Sequence, residues 1–110
     1  MKKIKKTTKA DIFLKSFERW QKILGLTDWK MVWCKYARRM STYAQIKYSA
    51  STRAFYLYHN LRGCQNPAAV GLHEALHLLL ADAQIKSEKE EHRIIYRLEN
   101  LLAEAEKQGY

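Results

Sequence analysis

Asn66 and Pro67 open a long apolar run that reaches Ala83 and is interrupted along its length by His73, Glu74 and His77. Asn is a favoured helix N-cap, and Pro at the first helical position gives up an N–H that has no partner there in any case. Ala69, Leu72, Leu76, Leu79, Leu80 and Ala83 recur at helical spacing and form one apolar face. A helix this apolar belongs in the core, so the rest of the chain has to cover it. Those polar side chains must also find partners in a largely buried setting.

The chain has 110 residues, enough for one domain, and its 47% hydrophobic and 28% charged residues are ordinary for a globular protein. Residues 1–10 form a basic N-terminal leader, and residues 11–110 read as a single domain. Asp11 to Leu24 is an amphipathic helix with Phe13, Phe17, Trp20 and Leu24 on one face, capped by Thr7 or Thr8 and followed by Gly25. Trp29 to Tyr36 is rich in strand formers; simple alternation puts Val32 and Cys34 on one face and Trp29, Met31 and Trp33 on the other. Tyr43 to Ala50 alternates more cleanly, and Ala54 to His59 follows after a short polar break, which predicts an antiparallel hairpin. After the apolar helix, Ser87 and Glu90 form a capping box for a last helix running to about Lys107. The expected fold is α+β: an N-terminal helix, a three-stranded antiparallel sheet, the apolar helix and a C-terminal helix rich in glutamate.

A net charge of +9 raises nucleic acid as a partner, but no nucleic-acid signature accompanies it, so solvated surface charge is the preferred reading. Cys34 and Cys64 form no CxxC pair and read as reduced thiols. The basic N-terminus has no apolar segment behind it to make a secretion signal. The apolar run is too interrupted to span a membrane, and the expectation is a cytoplasmic protein.

His73, Glu74 and His77 form an HExxH motif. At average residue frequencies this arises by chance in well under about 1% of chains of this length. Residues four apart are offset by only about 40° on a helix, so both imidazoles can reach one ion. Glu74, turned about 60° from His77, flanks that ion and is placed to act as general base on water that the metal activates. Zinc suits such a pair of nitrogens, and a catalytic zinc needs a third protein ligand. No histidine follows at the close HExxHxxGxxH spacing: Leu80 and Ala83 hold those positions. The third ligand must then come from Glu88, Glu90, Glu91, His92 or Glu99 of the last helix. The capping box occupies Glu90, whereas Glu91 lies in line with the apolar Ile94, Ile95, Leu98 and Leu102 and points inward. Glu91 is therefore the expected ligand, with Glu90 and then His92 as alternatives.

The stretches PAAVGLHEALHLLLADA and EEHRIIYRLENLL resemble the small single-domain gluzincin metallopeptidases, the minigluzincins, and phage and prokaryotic metallopeptidase-like proteins of the same size. The resemblance covers the C-terminal half. It implies zinc held by His73, His77 and a glutamate, Glu74 as general base and acid, and a peptide substrate extended along an edge strand. It also implies latency by self-association or by the tail, where Glu106 to Tyr110 could fold back with Tyr110 in the cleft; a frayed tail is the alternative. A weaker similarity is to SprT-like metalloproteases, which act near DNA, although no third histidine follows at their expected site. Peptide hydrolysis with zinc is the leading expectation, and a metal-stabilised binding module for nucleic acid is the second. Outside the motif, His59, Tyr48, Tyr56 and Tyr58 are read as packing residues before substrate contacts, Cys64 as apolar filling, and Trp29 and Trp33 as core.

Overall fold

The computed structural model describes residues 7–84 and 87–107. Helix α1 (Lys9–Ile23) is followed by strands β1 (Lys30–Tyr36), β2 (Ala44–Ser49) and β3 (Ala54–His59), then helices α2 (Pro67–Asp82) and α3 (Glu88–Lys107). Thr8 settles the first cap: its hydroxyl accepts the Asp11 N–H and the Asp11 carboxylate accepts the Thr8 N–H, both at 3.1 Å. Lys9 and Ala10, counted from sequence with the leader, thus belong to α1. The other leader residues through Lys6, and Gln108 to Tyr110 of the proposed tail plug, lie outside the described residues.

The expected antiparallel sheet is in fact mixed. β2 and β3 form the predicted antiparallel hairpin, but β1 pairs with β3 in parallel, giving the order β1-β3-β2. β3 returns from β2 into the centre, where it shields Phe55 and Leu57 completely. Register shifts between Met31 and Trp33, so Met31 pairs with Phe55 and Trp33 with Tyr56. The irregularity at Val32 breaks the simple alternation, putting Trp33 with Tyr56 on the sheet face away from Phe55 and Leu57. Trp29 is core as expected, at 2% exposure, but Trp33 is not, at 36%.

Phe13, Phe17 and Trp20 of α1 join Phe55, Leu57, Ala75 and Leu78 in one core cluster. Gly71 allows α1 and α2 to approach closely. A Cβ there would stand 2.6 Å from the Phe13 carbonyl oxygen and 2.9 Å from the Phe17 nitrogen, both backbone atoms that cannot swing aside. At the far end of α2, Asp82 accepts from Trp29 Nε1 at 3.0 Å and from Arg53 of the β2–β3 turn, which also pairs with Asp28 at 2.5 Å. Helix α3 packs through a smaller cluster of Leu76, Leu80 and Ile95. Among the described residues, no helix is long and apolar enough to cross a membrane.

Candidate metal centre

Asn66 caps α2 as the sequence predicts, its side chain accepting the Ala69 N–H at 3.1 Å. With Leu76 and Leu78 buried in the core, α2 is rotated so that His73 and His77 face a cleft of about 770 Å³. The residue 39–46 segment, which includes the start of edge strand β2, forms one wall, and Glu88, Glu91, His92 and Glu99 of α3 form another.

The two imidazoles face each other through Nε2, 3.1 Å apart. Behind them, His77 Nδ1 lies 2.5 Å from Glu91 Oε1, and His73 Nδ1 lies 2.9 Å from Glu99 Oε1. An ionised carboxylate only accepts, so each Nδ1 carries the proton and each Nε2 presents a lone pair. Two lone pairs pointed at one another repel, whereas a cation between them would satisfy both. The His92 ring stands 5.2 Å from that of His77, and His73, His77 and His92 each offer a ring nitrogen within 4.8 Å of the others. Burial holds the His77 pKa below its ordinary value, more than the Glu91 hydrogen bond raises it, which keeps the ring in the neutral form that binds metals. These residues fit a divalent metal: three imidazoles, with two carboxylates orienting the rings from behind.

Glu91, the expected ligand, thus does point inward, but its carboxylate meets the outer nitrogen of His77. The Glu90 backbone N–H donates to Ser87 Oγ at 3.3 Å, the half of the capping box that does not use the Glu90 side chain, while the Glu90 carboxylate lies 3.8 Å from Arg93. Glu99, a candidate by type alone in the sequence, emerges as the partner of His73. Its seven-residue spacing from His92 placed it on the same face of α3, but only the antiparallel packing of α2 and α3 matches 73 with 99 and 77 with 91. Of the other candidates, His59 packs against Phe13 and Tyr36 at 6.0 and 6.2 Å and Cys64 is core. Tyr48 reaches the cleft; Tyr56 and Tyr58 pair with Trp33 and Lys35 on the opposite sheet face.

Glu74 is 5% exposed, the one buried charged residue among those described. Burial, then the negative fields of Glu91 and Glu99, push its pKa up to about 7, opposed by a hydrogen bond from the Ile46 backbone. In the metal-free protein the folded state therefore keeps a proton on Glu74 that the unfolded chain releases near pH 4.5. This contribution to stability is fully present below pH 4.5 and is lost as pH rises to about 7, a change on the order of 3 kcal/mol. Denaturant titrations of metal-free wild type and Glu74→Gln should diverge across that window, the wild type losing stability relative to the variant. Parallel pH profiles would refute the assignment.

Comparison with family models, curated proteins and solved structures finds no match to this chain.

Proposed function

We propose that the chain is a metal-dependent peptide hydrolase of the HExxH type, with zinc as its ion, as the minigluzincin resemblance implies. The observation that carries this reading is the pair of facing Nε2 atoms, 3.1 Å apart, each backed by a carboxylate on Nδ1. His73, His77 and His92 would hold the metal, with Glu91 and Glu99 fixing ring tautomer and orientation. This reverses the order of preference between Glu91 and His92 expected from their positions on the helix. Bound there, the ion supplies Lewis acidity toward a carbonyl oxygen and makes water more acidic. Three protein ligands beside an open cleft favour a catalytic over a structural metal.

Glu74 is the proton acceptor. Its carboxyl lies in the cleft wall, one residue from His73, where the Ile46 backbone holds it. β2 is an edge strand along the same cleft, so an extended peptide has backbone groups to pair with. Zinc titration of metal-free protein by calorimetry should give one site per chain. The loaded protein should cleave an internally quenched peptide mixture and lose that activity on chelation. Absence of zinc binding would end the metal reading; binding without cleavage of any peptide would end the hydrolase reading.

A further inference from the structure

The sheet has a second face, and α1 and α2 pack on the other one. Register places Trp33 beside Tyr56, Lys35 beside Tyr58, and Lys47 on the far side of Tyr56. None of these residues joins either core cluster. Trp33 meets Tyr56 at 4.6 Å and Tyr58 at 6.4 Å, so the three rings form one continuous aromatic surface. Lys35 Nζ stands 4.1 Å from the Trp33 ring and Lys47 Nζ 5.6 Å from the Tyr58 ring, with Lys30 at the edge beside Ala54. No ion pair engages these three lysines among the described residues.

The charge here is not evenly spread. From Trp29 to His73 the chain has seven Lys or Arg and no Asp or Glu, so this segment holds most of the net +9. Every acidic side chain of the protein lies outside the sheet, on the helices and loops around it. A solvated face built only for solubility would mix both signs and would not leave large rings open among cations.

We infer that this outer sheet face, centred on Trp33, Tyr56 and Tyr58 and flanked by Lys30, Lys35 and Lys47, binds single-stranded nucleic acid. Flat rings accept unstacked bases, and ammonium groups between them take the phosphates. A duplex hides its bases from such rings, and an acidic peptide would use the lysines but leave the aromatic surface unexplained. The face lies on the other side of the sheet from the metal cleft, so both can be occupied together. The inference goes beyond the hydrolase reading and does not depend on it.

The test is fluorescence anisotropy of the full chain with labelled single-stranded DNA and RNA of about 15 nucleotides. It is run with chelator present and repeated with Glu74→Gln, so that the metal site has no part in the result. Trp33→Ala combined with Tyr58→Ala should weaken binding at least about tenfold, and Trp33→Phe should largely restore it. Lys35→Ala with Lys47→Ala should flatten the slope of log affinity against log salt by about 1.4. Circular dichroism of each variant establishes that it is folded; if the double aromatic variant unfolds, Trp33→Ser and Tyr58→Ser singly carry the same expectation. Preference for DNA or RNA then identifies the source of the strand. The inference fails if neither strand binds, if the aromatic variants bind as the wild type does, or if heparin, which has no bases, shows the same loss in those variants.

Discussion

Glu74→Gln should abolish peptide cleavage while leaving metal content intact. Gln preserves the size of the side chain and its place between α2 and β2, but it cannot accept a proton. General acid–base catalysis of this kind is worth roughly 10²–10⁴ in rate, and the loss should appear in kcat with little change in KM. Metal analysis of the same sample separates this from loss of the ion. The position of Glu74 explains why the effect should be large. It is buried, held by the Ile46 backbone and next in sequence to His73, so its carboxylate is fixed beside the proposed ion. A variant that cleaves within a few-fold of wild type would place the base elsewhere.

The second large effect separates His92 from Glu91. Removing His92 takes away one of three ring nitrogens, and zinc affinity should collapse by several orders of magnitude. Removing Glu91 leaves all three nitrogens and costs the orientation of His77, which for a carboxylate behind a ligand amounts to about 10–100-fold. Competition titrations with a chromophoric chelator would rank His92→Ala well below Glu91→Ala. The opposite order would mean that Glu91 turns from His77 Nδ1 to coordinate the ion itself, as the sequence had suggested.

That contrast marks where the sequence stopped being informative. The cap at Asn66 is local and is found as predicted, whereas the stripe read from spacing is only partly right: Leu76 and Leu80 are buried, but so are Gly71, Ala75, Leu78 and Ala81, and Ala83 is exposed, because α2 is covered on more than one side. The β2–β3 hairpin, local like the cap, was legible: two alternating runs lie close together. The partner of β1 was not, since pairing with β3 depends on which strand the helices cover. Nor could periodicity anticipate the irregularity at Val32, which carries Trp33 to the open face. The choice of third ligand turns on a similar non-local packing. Glu91 and His92 are adjacent near the start of α3, so the choice between them depends on how α3 crosses α2. Pairing of Glu99 with His73, some 26 residues apart, belongs to the same crossing.

The middle and the C-terminal end of α2 are anchored by unlike means: Glu74 is bonded to the β2 backbone, and Asp82 to Arg53 and Trp29 beside the sheet. Ahead of both, Gly71 lets α2 pack closely against α1. His73, Glu74 and His77 therefore sit on a fixed anvil, while His92, Glu91 and Glu99 ride on a helix held by the small Ile95 cluster and an Arg19–Glu106 pair. The centre is thus split between a stiff jaw and a compliant one. If the proposed metal binds, adjusting the grip on it falls to α3, and a change in its seating would be felt at both histidines at once through Glu91 and Glu99.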